Sequence, residues 1–538
     1  MPIPQLLQQT PRELPTRDPA PTFSVPLSAP PLAPAPGPYL EVRSVTRGLA
    51  AMYEKLRNTL DFRDEHLIRV FAIRRILKRR LTRGARANVI TLPFLQELVR
   101  SGYIPNTAVP EREIPGYERL IEKYIQLFSF LLEATNGEAT SFAWDFVFTL
   151  AANELEDRLT PTPRRHAVAQ ALIDQLKTER VLEQWQLEPG EEDRQCTIAV
   201  YRALLKANKE IVNWEMFRRI VADWTANPTP ERVRDIAYAL PEVYHILEQS
   251  FRHPARDRLT RHVKPAATTL WLLQESLAAE ADVPAVLSRP ALITEKLNET
   301  IVRYYQTASR RLRRILRRSL LYIVITKMAI AILLEVPFDR FIGGEINLFT
   351  IGFNVIVPPF LLLIFGLSVT VPGKKNTQTI HDIAARLVYE GVLQLDPLRR
   401  PLAQRAVLNF FFNLFYGIIY LASFGVVVTL LLRLDFNILG IAIFLFFLSI
   451  VSFFGFRIRE QAQELIVTRG EERFLVFLAV LFFLPILRTG RWISQQSSKI
   501  NIFLYFFDLF IEAPLQAFIE FFDKFTGFVR EKKEDVTS

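Results

Sequence analysis

The chain has 538 residues, half of them apolar and 23% charged, with a net charge of +10, one cysteine and 42 phenylalanines. A single cysteine, Cys196, excludes an internal disulfide and a Cys-based zinc site, and suits a reducing compartment; the length leaves room for two or three domains. The mean hydropathy of +0.15 averages over a split, with charge concentrated before residue 318 and apolar residues after it.

A basic balance of this size suits nucleic acid, anionic lipid or a ribosome as partner. Much of the excess flanks apolar runs, where it sets membrane orientation. A bilayer with anionic headgroups is therefore the expected partner, and nucleic acid is not.

Residues 1–38 carry proline at 2, 4, 11, 15, 19, 21, 26, 30, 31, 34, 36 and 38. With few bulky apolar residues and no period, this stretch predicts a disordered, partly polyproline-II tail. The opening MPIPQLLQQTPRELP lacks a basic segment followed by an apolar one. No cleavable signal peptide is expected, and the first membrane helix is expected to serve as the insertion signal.

Residues 39–287 read as an all-helical domain. Asp61 is a candidate cap for a helix with acids in its first turn and Lys78, Arg79 and Arg80 in its last, both matched to the helix dipole. Amphipathic runs follow at about 86–101, 111–135, 138–158, 164–187, 194–209, 212–224, 230–249 and 266–281, with breaks at clusters such as Thr160-Pro161-Thr162-Pro163 and Asn227-Pro228-Thr229-Pro230. No alternating β segment of useful length and no fixed repeat occurs.

Residues 288–318 predict a stalk helix that enters through Pro290 and ends in a basic collar, Arg310, Arg311, Arg313, Arg314, Arg317 and Arg318. Apolar positions continue without a breaker into a membrane domain over 319–525. If unbroken to Glu335, the helix would be about 70 Å long. Spans are expected at about 319–336, 348–371, 407–432 and 438–456, each near the length a helix needs to cross hydrocarbon. Basic loops (the collar; Lys374, Lys375, Arg386, Arg399, Arg400 and Arg405; Arg457, Arg459, Arg469 and Arg473) alternate with connections holding only Arg340 and Arg433. The positive-inside rule then places the helical domain in the cytoplasm. The runs 474–487 and 500–525 fit a span, a re-entrant segment or an interfacial helix, and 526–538 is a polar tail.

Several polar residues fall inside apolar runs. Lys327 lies near the middle of the first span, where an unpaired charge costs about 3 kcal/mol or more; Glu335, Asp508 and Glu512 are its candidate partners. Asp508, Glu512, Gln516 and Glu520 recur every four residues and form an acidic stripe. Asn354 and the pair Pro358-Pro359 interrupt the second span, as in the discontinuous helices of transporters. Asn409, Asn413, Tyr416 and Tyr420 mark one edge of the third and suit helix–helix hydrogen bonds.

The stretch PGKKNTQTIHD (372–382) fails as a phosphate loop, because Gly366 and Gly373 are too far apart and Asn376 follows Lys375. The six histidines form no close ligand pair along the chain, and no GxSxG or GxGxxG occurs. No cofactor or metal and no enzymatic activity are expected.

RDEHLIRVFAIRRILKRRL (63–81) and GKKNTQTIHD resemble stretches of uncharacterised multi-pass membrane proteins of candidate-phyla bacteria. The resemblance implies a bacterial inner membrane and assigns no site residues. The reading is all-α: a cytoplasmic helical domain followed by a polytopic α-helical membrane domain. It points to a non-enzymatic scaffold or assembly factor with a cytoplasmic protein partner. The alternative is a transporter, channel or insertase-like protein, a homo-oligomer included, that uses Lys327 and the acidic stripe.

Overall fold

The computed structural model describes residues 37–40, 65–81, 86–106, 108–137, 140–278, 280, 283–338, 340–341, 347–367, 373–390, 393, 395–400, 406–462, 466–468, 474–499, 521 and 525. Most of the proline-rich tail, Asp61, Asp508, Glu512, the rest of the acidic stripe and the polar tail lie outside them. The chain is 84% helix with no strand among the described residues. It divides into two compact units: Met1–Ala267 with Arg386–Arg400 and Phe506–Ser538, and Thr268–Ala385 with Pro401–Tyr505.

The first unit is built from α1 (Glu65–Leu81), α2 (Ala87–Arg100), α3 (Ile114–Ala134), α4 (Thr140–Leu159), α5 (Pro163–Thr178), α6 (Glu191–Leu204), α7 (Lys209–Ile220), α8 (Pro230–Arg252) and the start of α9 (Ala255–Ser276). In α1 the inward stripe is Val70, Ile73, Ile76 and Leu77, all buried at helical spacing. Local chemistry starts the helices. The Asn208 side chain accepts from Ile211 N at α7, and Thr229 Oγ1 from Arg232 N at α8, with Pro230 in its first turn.

Two elements differ from the sequence reading. The expected run 164–187 ends at Thr178 and continues as a turn and a short 3₁₀ segment, Glu183–Trp185. The last helix starts at Ala255 rather than 266, because the basic run FRHPARDRLTRHVK hides Leu259, Val263 and Ala266, which are buried on one face while its cations line the other.

The second unit is organised on α10 (Pro290–Ile330), 41 residues and so about 62 Å of helix. The α-helical ladder does not run unbroken to Glu335: residues Ala331–Glu335 form a π-turn. Then come α11 (Leu348–Leu367), α12 (Lys374–Ala385), α13 (Ala406–Arg433), α14 (Ile438–Ala462) and α15 (Phe474–Lys499). Three helical stretches are long and apolar enough to cross a membrane, Pro290–Phe338, Phe410–Arg433 and Ile438–Arg459; Leu348–Ile364 is a shorter apolar helix. On α13, Phe410, Phe411, Phe412, Leu414, Phe415, Ile418 and Leu421 are all exposed, an apolar surface that suits lipid rather than water. The stretch 374–385, expected as a loop, is helical, with Asn376, Ile380 and Ala384 buried at four-residue spacing.

The run expected at 474–487 belongs to a helix that continues through Pro485 to Lys499. Near this proline, the Ser423 hydroxyl of α13 lies 2.7 Å from Ile419 O and 2.8 Å from Phe482 O and shares its one proton between them, a polar contact between α13 and α15 of the kind that joins helices in lipid. Helices α14 and α15 meet at Gly490, where a Cβ would collide with the Ser449 carbonyl. Gly490→Val is therefore expected to destabilise the purified protein by about 1–3 kcal/mol through overpacking. Gly425→Val, which meets nothing within 4 Å, is expected to leave the midpoint unchanged in the same thermal unfolding measurement in detergent.

Candidate functional site

In the second unit, Lys327, Asn354 and Glu335 converge. Lys327 Nζ donates to Asn354 Oδ1 at 2.5 Å, Asn354 Nδ2 donates to Glu335 Oε1 at 2.6 Å, and Lys327 Nζ lies 3.6 Å from the same carboxylate oxygen. All three residues are buried, and the ammonium also sits 4.5 Å from the centroid of Phe447 on α14. The π-turn explains the geometry. Eight residues along a regular α-helix fall about 80° off the starting face. A π-turn absorbs one extra residue, so Glu335 occupies the place of a seventh residue and returns to within about 20° of Lys327. The sequence marks all three residues, Asn354 for its place in the interrupted span, and no spacing in it points to Asn354 as a bridge. Asp508 and Glu512 lie outside the described residues.

The collar arginines Arg310, Arg311, Arg313, Arg314, Arg317 and Arg318 are all exposed. At the opposite face of the same stretch Leu312, Ile315, Leu316 and Leu320 pack against a cluster of Ile323, Leu362, Val451 and Ile458. Further along the chain, Asn376 of α12 donates to Tyr305 Oη of α10 (2.8 Å), while its Oδ1 accepts from Val467 N (2.7 Å) and Thr468 N (3.1 Å).

The first unit holds two buried polar clusters. Glu154 accepts from Lys123 Nζ (2.7 Å), Tyr124 Oη (2.6 Å) and Trp224 Nε1 (2.9 Å), and Lys123 also donates to Trp224 O (3.1 Å). Burial pulls the Lys123 pKa down and raises that of Tyr124. The second cluster joins Asp157 of α4, His166 of α5 and Glu215 of α7, whose ligand atoms lie within 4.8 Å of one another, a spacing that fits a metal ion. This cluster carries its own cation: Arg218 Nε donates to Glu215 Oε2 at 2.6 Å, and its Nη2 lies 3.4 Å from His166 Nδ1. Asp157 accepts from Trp214 Nε1 (2.7 Å), and burial raises its pKa. Its members are scattered along the chain, so no short motif announces the cluster.

One feature of the first unit was invisible to motif reading. Residues 393 and 395–398, from the connection between α12 and α13, form a strap whose backbone bonds to the turn that follows α5. Glu179 accepts Leu393 N on Oε1 and Leu395 N on Oε2, each at 2.9 Å. Leu398 N donates to Val181 O, Trp185 Nε1 donates to Leu398 O (both 2.8 Å), and His262 Nε2 lies 2.9 Å from Asp396 O. The local signal is the prolines at 397 and 401, which bias Asp396 and Arg400 toward extended backbone.

Compared with known proteins, the chain matches no family model, no curated protein and no solved structure.

Lys327→Met removes the ammonium from the buried Glu335 carboxylate and the Asn354 amide and is expected to cost about 3–5 kcal/mol in thermal unfolding in detergent. Adding Glu335→Gln, which keeps an acceptor for Asn354, is expected to recover most of that loss. Glu179→Ala combined with Trp185→Phe removes three side-chain bonds to the strap, about 2–4 kcal/mol in total. Limited trypsin digestion of the intact protein is then expected to cut after Arg399, which is exposed, at least tenfold faster than in wild type; the Arg400–Pro401 bond resists trypsin and does not confuse the assay.

Proposed function

We propose that the chain is a polytopic inner-membrane protein that acts as a non-enzymatic scaffold, its helical unit on the cytoplasmic side presenting a docking surface to a protein partner. The observation that carries this reading is the strap. The first unit takes up residues 386–400, a connection between apolar helices, through main-chain hydrogen bonds, and the chain passes between the two units at 267/268, 385/386, 400/401 and 505/506. A helical unit fastened into the chain at several points suits a platform that holds a partner at the membrane. The alternation of basic and poor loops supports the cytoplasmic side.

The buried polar groups support the same reading. Glu154, Glu215 and Glu191 are each engaged by neighbouring donors, which suits packing and specificity more than chemistry. The transport alternative draws on Lys327, but there the ammonium, amide and carboxylate satisfy one another.

The test is affinity purification from native membranes in mild detergent, with quantitative mass spectrometry. A stoichiometric partner, lost when residues 39–287 are deleted, is the expected result. A partner-free homo-oligomer would overturn the scaffold. Proteoliposome flux of wild type against Lys327→Leu and Asp508→Asn/Glu512→Gln would then decide for transport.

A further inference from the structure

Beyond the scaffold reading, we propose that the stalk carries a binding site for the phosphate of an anionic phospholipid headgroup, built from Tyr305, Gln306, Arg310 and Arg313. These residues, with Ser309, line an open groove of about 350 Å³ on α10. Four facts on one helix lead there.

The first is unspent charge. None of the six collar arginines has a carboxylate partner within 4.0 Å among the described residues, although arginines of the first unit such as Arg218 and Arg194 are paired. Six like charges within nine residues repel one another, and an anion relieves that repulsion. The second is their arrangement. At about 100° per residue the six fall within roughly 160° of arc, opposite the packed face of Leu312, Ile315 and Leu316. The groove runs along the border between the two faces.

The third is depth. On the arginine face, exposure passes from Arg317 and Arg318 to Leu321, Tyr322, Ile325 and Met328, all exposed apolar or aromatic residues. On the packed face, Leu316 lies against Gly366 at the end of α11, which fixes the edge of the apolar layer at that level. Arg313 and Arg310 lie three and six residues before Leu316, about 4.5 and 9 Å down the axis. Gln306 and Tyr305 lie about 15 and 16.5 Å down the same axis. The polar headgroup zone is about 5–7 Å thick on each side of the hydrocarbon, so the Arg313 end of the groove opens at the level of the lipid phosphates, Arg310 reaches back to it along its side chain, and the Tyr305 end lies on the water side. Side chains on a helix tilt toward its N-terminus, which brings Arg317 toward the same layer.

The fourth is donor chemistry. Guanidinium groups bind phosphate oxygens in a bidentate fork. Asn376 donates to the Tyr305 oxygen, so the phenol proton is not used in that bond and is available to an acceptor. The Gln306 amide is exposed and has no hydrogen-bond partner among the described residues. Ser309 gives its proton to Tyr305 O (2.8 Å) and lines the wall without donating. The site thus offers two forks for the phosphate, two neutral donors further toward the water side for the polar end of the headgroup, and no carboxylate.

The experiment uses the full-length protein in phosphatidylcholine nanodiscs with phosphatidylglycerol as minor component, followed by native mass spectrometry of retained lipid. Wild type is expected to retain phosphatidylglycerol over phosphatidylcholine, and Arg310→Gln/Arg313→Gln to lose that retention by about tenfold, the loss of roughly one charge-assisted pair. Arg311→Gln/Arg314→Gln removes the same charge from the collar outside the groove and is expected to change retention less than twofold. Arg310→Lys/Arg313→Lys, which keeps charge and loses the fork, is expected to fall between them.

Equal losses in the two glutamine variants would overturn the site in favour of diffuse attraction. Displacement of the lipid by millimolar inorganic phosphate would overturn it in favour of a soluble anion. The site rests on α10 entering the bilayer, a premise checked apart from it: failure of the wild type to incorporate into nanodiscs would remove that premise, whatever the variants do. The partner tested under the scaffold reading does not enter this readout.

Discussion

A charge at the centre of an apolar bundle must be answered locally, and much of the second unit follows from how Lys327 is answered. The ammonium needs an anion in a medium that supplies none, and the carboxylate at hand lies on its own helix at the wrong angle for a regular α-turn. The π-turn at Ala331–Glu335 corrects the angle, and the Asn354 amide joins cation to anion while bringing α11 against α10. With the ring of Phe447 closing the other side, one buried network sets the relation of α10, α11 and α14. Its cost in desolvation is large and its gain is specificity: a shift of α11 by one turn against α10 would take the Asn354 amide off both charged groups and leave them short of buried hydrogen-bond partners.

The first unit solves the same problem with different means. Its polar clusters use aromatic donors, Trp224 and Tyr124 on Glu154 and Trp214 on Asp157, and so satisfy carboxylates with flat, well-packed groups. Such side chains add apolar area as well as a hydrogen bond. The unit is consequently held by a core that is apolar in volume and polar only at a few joined points.

What the sequence made legible was local. The proline cluster at 160–163 marks the end of α4 and the start of α5, and that at 227–230 the start of α8, because φ restriction and missing N–H groups act where they stand. The apolar runs announce the long helices for the same reason. The start of α9 was hidden by Pro254 and a run of cations, since the buried set Leu259, Val263 and Ala266 is sparse among them. The helix at 374–385 was masked by its polar composition; its Asn376 is a buried anchor. That Lys327 required a partner was readable; that an asparagine 27 residues on would bridge it to Glu335 was not, because no periodicity encodes a π-turn. The strap was least legible, since Glu179 and Leu393 are more than 200 residues apart.

That separation bears on the order in which the molecule is made. The helices of the first unit leave the ribosome well before residues 393–398, and α10 and α11 lie between. The Glu179 carboxylate, the Val181 carbonyl and the Trp185 indole must therefore wait, facing water, until two apolar helices have been synthesised. Only then does a segment arrive whose backbone completes them. Closing so long a loop carries a slowly growing entropic cost, and because α10 and α11 precede the strap in the chain, the first unit cannot complete this contact until both have been made. The helical unit is thus finished last, although most of it is made first.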